Sequence, residues 1–295
     1  MVHRAIELET AQPVALKRLR PQFATDWELL NAFLAEAQLS SQLQHPHVQR
    51  TLGYGKLDGT YFIALELIAG PTLAQVMTQT SSAAGAVPVP IVIELLIQLC
   101  EALDYLHTRS RSIVHRDVSP ANIVISNIGC VKLANFGNAK SAHSRPPTPA
   151  GAIKGTLGYV APEYTFGQLD ARVDLFALGV IAHELLAGRP LFGTTKDYAT
   201  MWRVREKPIQ PPSRWNQQVS RDLDDIVLTA LQRDPDLRWQ NAAAMRFALG
   251  ASAANYPVVD SKAIRDWTEW AFTQKPRRET LLVKTLTELE LAPSD

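Results

Sequence analysis

His115, Arg116, Asp117 and Asn122 fall within the eight residues HRDVSPAN. A loop that needs a base and a metal-binding amide side by side has this composition. Shortly after it, the apolar strand-like stretch 131–134 runs into Asn135-Phe136-Gly137. Where such a strand leads to a nucleotide and magnesium, a carboxylate is expected next, and here the position holds an amide. An amide oxygen can ligate magnesium but brings no charge, and this hard cation favours carboxylates. A missing unit of negative charge beside a divalent ion costs on the order of several kcal/mol even in a partly screened site. Two charges lie upstream: Lys17 in VALK, and Glu36 in a helical stretch of mainly apolar residues. Taken singly, each reads as a solvated surface charge.

The elements that must position these groups follow from periodicity. Residues 1–8 and 13–19 read as strands joined by the turn ETAQ. Residues 26–43 read as a helix capped by Asp26, with Leu29, Leu30, Phe33 and Leu34 as its apolar face. Two further strands are expected near 48–55 and 60–67, with Asp58-Gly59 as the turn. Four short strands and one helix make a small sheet lobe. The small, polar stretch 79–88 reads as a flexible connector. Beyond it, 89–108 reads as an amphipathic helix with Ile93, Leu96, Ile97, Cys100 and Leu103 on one stripe, which makes Cys100 a core residue.

Bulk properties exclude several classes. A chain of 295 residues with 46% hydrophobic and 7% aromatic residues is globular. Thirty basic residues against 29 acidic give a formal charge of +1, so no global field draws it to nucleic acid or a membrane surface. Two cysteines make neither a disulfide framework nor a metal spacing, which fits a reducing cytoplasm. Glu94, Gln98 and Glu101 interrupt the longest apolar run, so no membrane span is expected. The opening MVHRAIELET reads as lacking the apolar core of a secretion signal.

Lys17, Glu36, HRDVSPAN, NFG and the APE of GTLGYVAPE, in this order and spacing, resemble the eukaryotic-type serine/threonine protein kinases, in particular bacterial ones. The resemblance covers residues 2–250 and extends to Asp174 and Arg238. It implies an α+β, two-lobed fold, with a sheet lobe at about 1–68, a mainly helical lobe at about 71–250 and a helical extension over 251–295. It also implies ATP and Mg2+ as cofactors, with Lys17 on the α- and β-phosphates and paired with Glu36. Asp117 would accept or orient the acceptor hydroxyl proton. Asn122 would bind magnesium, with Asn135 a degenerate second metal position. Val2, Ala15 and Val124 would enclose the adenine ring, the backbone from Glu66 to Ile68 would meet its edge, and Leu65 would stand behind it. Glu163 would pair with Arg238, and Asp174 would accept N–H bonds from the His115–Arg116 turn. Gly155 and Thr156 would shape the substrate loop, with Thr156 touching Asp117.

Departures from the family pattern bear on function. MVHRAI matches the segment just after the Gly-rich hairpin; the glycines and first strand are missing from this sequence, either lost or encoded upstream of Met1. Asn135 replaces the DFG aspartate, and Ser119 stands where a lysine is usual. An apolar column that ties the Glu36 helix to Phe136 and His115 has Ser40 and Thr51 at its upper positions, which predicts a loosely held helix. Together these imply an impaired kinase or pseudokinase that docks a protein substrate or partner kinase, with weak ATP binding and weak or absent magnesium binding. The alternative is an active kinase using Lys17, Asp117 and Asn122. Arg116 is retained, so Ser141, Ser144 and Thr148 are candidate phosphate acceptors in the following loop. Ile264, Trp267, Trp270 and Ala271 recur at helical spacing and predict a helix packed on the large lobe, followed after KPRRE by a second helix; the functional alternative is a partner-binding helix.

Overall fold

The computed structural model describes residues 1–109, 112–141, 156–166, 169–193 and 198–275. Strands β1 (Val2–Ile6), β2 (Pro13–Arg18), β3 (Thr51–Leu57) and β4 (Thr60–Glu66) form an antiparallel sheet in the order β1-β2-β4-β3. In β2 the buried Val14 and Ala15 precede Lys17, which pairs in register with Val2 on one side and Ile63 on the other. Helix α1 (Trp27–Ser40) is capped by Asp26, whose side chain accepts from the N–H groups of Glu28 and Leu29. Phe33, Ala37 and Ile63 form the small core between α1 and the sheet.

The buried face of α1 differs from the expected one. Phe33, Glu36, Ala37 and Ser40 are buried, whereas Leu29 is exposed. The helix is rotated so that Glu36 meets Lys17 and Ser40 meets β3, and that polar pairing outweighs the leucine stripe. The predicted column positions are the occupied ones: Ser40 and Thr51 are buried, while Leu52 is exposed. The helix is not left without a contact there. Thr51 Oγ1 donates to Ser40 Oγ at 2.8 Å, so a hydrogen bond takes the place of hydrocarbon packing.

The larger lobe is helical and holds the main core. Helix α2 (Leu73–Gln79) opens with a capping box between Thr72 and Gln75. The expected connector at 79–88 is ordered in its first half. Thr80–Ala84 make one π-helical turn, with the hydroxyls of Thr80, Ser81 and Ser82 donating to the carbonyls of Met77, Thr78 and Gln79. Hydroxyls that bond the preceding turn extend the helix where composition predicts a break. Helix α3 (Val89–His107) buries Ile93, Leu96, Cys100 and Leu103 of the predicted stripe, with Ile97 half-buried against the core. Next come β5 (Ile113–Val114), β6 (Ile123–Ile125), β7 (Val131–Leu133) and β8 (Lys140–Ser141), paired as β6–β7 and β5–β8.

Helix α4 (Arg172–Ala187) is buried on nearly every face. It packs against α3 and α6 (Arg221–Ala230); α7 (Ala242–Ala253), which runs through residue 250, packs in turn on α3 and α6, and α5 (Tyr198–Glu206) precedes α6 in the chain. Helix α8 (Ser261–Thr273) is capped by Asp260 and buries Ile264, Thr268 and Ala271; of the predicted stripe, Trp267 is half-buried against the core and Trp270 is exposed, because the buried face turns toward Thr268 instead. Its end is tied to α2, because Gln79 Nε2 donates to the carbonyls of Ala271 and Gln274. The second tail helix, Gly155, Ser144 and Thr148 lie outside the described residues. Among the described residues no helix is long and apolar enough to cross a membrane.

Candidate active site

Between the two lobes lies a cleft of about 280 Å³, lined by Val2, Ala15, Lys17, Glu36, Ser40, Gln49, Leu65, Ala121, Asn122, Ala134, Asn135 and Phe136. Residues distant in the chain therefore meet here. Lys17 Nζ donates to both carboxylate oxygens of Glu36, at 2.5 and 2.7 Å. Gly137 sits under that carboxylate, where a Cβ would approach Glu36 Oε2 to 3.2 Å. The turn after β7 thus closes on the ion pair.

Asn135 has φ of 65°, a left-handed conformation that asparagine tolerates better than most residues. Its amide is used at both ends. Oδ1 lies 3.4 Å from Lys17 Nζ, and Nδ2 donates to Asn122 Oδ1 at 3.1 Å. Asn122 Nδ2 in turn donates to the Asp117 carbonyl at 2.8 Å and to Ser119 Oγ at 3.3 Å. A chain of neutral amides thereby links Lys17 to the HRD loop.

The HRD turn is held from below. Arg116 has φ of 64°, which a non-glycine residue adopts only under constraint. The constraint comes from Asp174, whose Oδ2 and Oδ1 accept the N–H groups of His115 and Arg116 at 2.8 Å each, with Oδ2 also 2.9 Å from His107 Nε2. Burial pushes the Asp174 carboxyl up, but His107, His115 and these hydrogen bonds more than reverse that and leave it below the usual range. His115 is fully buried, packs edge-on against Phe136 with ring centroids 5.0 Å apart, and has its pKa lowered by that burial.

Asp117 is half-buried, and that burial raises its pKa, while His115, Asn122 and Asn138 oppose the rise. Asn138 Nδ2 donates to Asp117 Oδ2 at 3.2 Å. Thr156 shares a small cavity with Arg116 and Asp117. Farther out, Glu163 and Arg238 make a bidentate ion pair at 2.5 and 2.7 Å, and the Arg238 guanidinium lies over the Phe176 ring.

Glu66, Ile68 and Val124 are not among the lining residues. Val124 is fixed in the β6–β7 hairpin and bridged to Thr72. Glu66 is engaged throughout: its N–H donates to the Arg50 carbonyl, its carbonyl accepts from Gln49 Nε2 at 2.9 Å, and its carboxylate pairs with Lys132. Sequence reasoning missed Gln49 and Asn138. Each carried a faint signal, as a polar residue beside an apolar strand and as a polar residue directly after Phe136-Gly137.

A model of the protein kinase domain matches residues 1–248. The chain belongs to the serine/threonine protein kinase family. The chain is 35% identical over 272 residues to the serine/threonine-protein kinase PknB of Mycobacterium leprae, covering 90% of the chain and 43% of the relative. It is 36% identical over 253 residues to PknB of Mycolicibacterium smegmatis, covering 83% of the chain and 39% of the relative. To the tyrosine-protein kinase MasK of Myxococcus xanthus it is 29% identical over 287 residues, 93% of the chain and 44% of the relative. The chain therefore spans less than half the length of these relatives.

Proposed function

We propose that this kinase binds ATP weakly, depends little on magnesium, transfers phosphate poorly and acts chiefly by docking a protein partner, such as another kinase, in the cytoplasm. One observation carries the reading: Asn135 commits its amide to Lys17 and Asn122. The Asn122 oxygen offered to a metal already accepts a proton donor. The two residues assigned to the ion, Asn122 and Asn135, are both neutral amides. Such a donor set suits magnesium badly.

For the nucleotide the lining is better matched. Val2 and Ala15 would flank the base and Leu65 would close the rear, while Val124 lies outside the lining and the Glu66 carbonyl would meet the base edge only in competition with Gln49. Lys17, oriented by Glu36, would hold the phosphates. ATP supplies the phosphoryl group when bound. Asp117 would orient the acceptor hydroxyl and take its proton. In this reading residues 1–250 are the kinase unit and 251–295 a helical extension.

A second reading, an active kinase, is favoured by the closed Lys17–Glu36 pair and the packed His115–Phe136 contact. Two measurements separate them: thermal-shift titration with ATP with and without magnesium, and radiolabelled transfer to the protein itself. Impairment predicts a small shift that magnesium hardly changes, and little incorporation. A large magnesium-dependent shift with rapid incorporation would establish the active reading.

Regulation in trans follows from the same reading. Arg116 is buried with Nε and Nη1 unpartnered among the described residues, which suits a phosphate as its partner. An impaired enzyme cannot place that phosphate, so a modification at Ser144 or Thr148 comes from another kinase. Mass spectrometry of the protein expressed alone should find neither site phosphorylated. Stoichiometric phosphate that disappears in Asp117→Ala would contradict this.

A further inference from the structure

The sequence pattern assigns the Glu66 backbone to the edge of the base, yet in the structure that carbonyl already has a donor. Gln49 Nε2 reaches it at 2.9 Å, and the Gln49 side chain lines the cleft beside Leu65 and Ala15. The placement is fixed by the backbone. Gln49 N–H donates to the Leu133 carbonyl at 2.9 Å, and the next residue, Arg50, accepts from Glu66 N–H at 2.8 Å. Gln49 therefore sits where the sheet lobe joins β7, held on both sides, with its side chain directed at the carbonyl opposite. The Glu66 carboxylate cannot serve in the carbonyl's place, because Lys132 holds it.

We infer that Gln49 is the residue that sets base selectivity in this cleft, by supplying from the protein the hydrogen bond that a 6-amino group would otherwise donate to the Glu66 carbonyl. The inference rests on the nucleotide-binding reading and deepens it. The Gln49 amide reaches the carbonyl from the cleft side, so a base bearing a 6-amino group competes with it for the lone pair that faces the cleft. It then exchanges one N–H···O bond for another and leaves the displaced amide unpaired, so the amino group gains nothing net. A purine without that group keeps the Gln49–Glu66 bond intact. The wild-type cleft should thus be nearly indifferent to the 6-amino group, while stacking and phosphate contacts still operate. Removing the amide frees the carbonyl and restores the preference.

The test measures calorimetric affinities of adenosine and of purine riboside, which differ only in the 6-amino group. Wild type should bind the two within about twofold of each other. Gln49→Val should raise adenosine affinity by about fivefold, one net hydrogen bond, and leave purine riboside unchanged. Gln49→Met, which fills similar space without a donor, should give the same preference and guards against a folding defect in the smaller variant. Equal changes for both nucleosides would mean that Gln49 acts on the shape of the cleft alone, and would overturn the inference. So would a wild type that already prefers adenosine by fivefold, with no change in either variant. If neither nucleoside binds any of the three proteins while ATP does, base recognition is absent and the inference falls with the nucleotide reading intact. If ATP also fails to bind, the nucleotide reading itself falls.

Discussion

At the scale of single residues, the character of the site turns on one amide. Asn135 can donate to Asn122 Oδ1 and stay near Lys17 because it has both a donor and an acceptor. An aspartate has no proton to give, so Asn135→Asp sets an anionic oxygen against Asn122 Oδ1. A cation between them relieves that opposition. We expect Asn135→Asp to acquire a magnesium-dependent stabilisation by ATP, seen as an extra rise in melting temperature of about 2–4 °C for each kcal/mol of binding gained. A variant whose ATP shift is the same with and without magnesium would show that the amide is not what limits the ion.

At the scale of elements, two contacts fix how the lobes carry their groups. The first is the hydroxyl pair between α1 and β3. Both side chains are buried, so removing one leaves the other without its partner. Ser40→Ala and Thr51→Val should each destabilise the protein by about 1–3 kcal/mol, and the double variant by clearly less than their sum. A denaturant-unfolding double-mutant cycle reads this, and strict additivity would mean that the bond contributes nothing. The second contact is the seat of α8 against the β6–β7 turn. Gly129 has φ of 76°, and a Cβ there would lie 1.7 Å from the Ser261 carbonyl oxygen. Gly129→Ala should force α8 off its seat, at a cost of about 2 kcal/mol or more. Limited proteolysis near residue 260, faster than in wild type, is the expected signature.

For the whole molecule, acid stability follows from histidines held neutral inside it. His183 is fully buried. Its Nε2 lies 2.9 Å from the Gln210 carbonyl and its Nδ1 has no partner among the described residues. Burial lowers its pKa, and His115 is lowered for the same reason. An unfolded histidine takes its proton as pH falls through about 6.5, before the folded one does. Stability is therefore unaffected by these groups above that pH. It declines below it, by up to about 1.4 kcal/mol per pH unit for each group until the folded pKa is reached. His183→Gln, which can keep a donor for Gln210 but takes no proton, should lose less stability than wild type between pH 7 and pH 5. Urea unfolding at the two pH values checks this, and an equal loss would remove His183 from the account.

The linear sequence determined the family, the strand–helix order and the identity of Lys17, Glu36, Asp117, Asn122 and Asn135, because motif spacing and hydrophobic period are local properties of a chain. It also located Ser40 and Thr51 at facing positions. What it could not decide was anything that depends on which side of an element faces which neighbour. The leucines of α1 promised one face, and the Lys17–Glu36 pair selected another. Composition marked 79–88 as a break, but hydroxyl groups bonded to the turn before it carried the helix onward. Gln49 and Asn138 carried too faint a signal to be singled out as site residues, because their partners, Glu66 and Asp117, lie 17 and 21 positions away. Hydrogen bonds across such separations form only once packing has fixed both backbones, so the tertiary structure alone shows which amide reaches which oxygen.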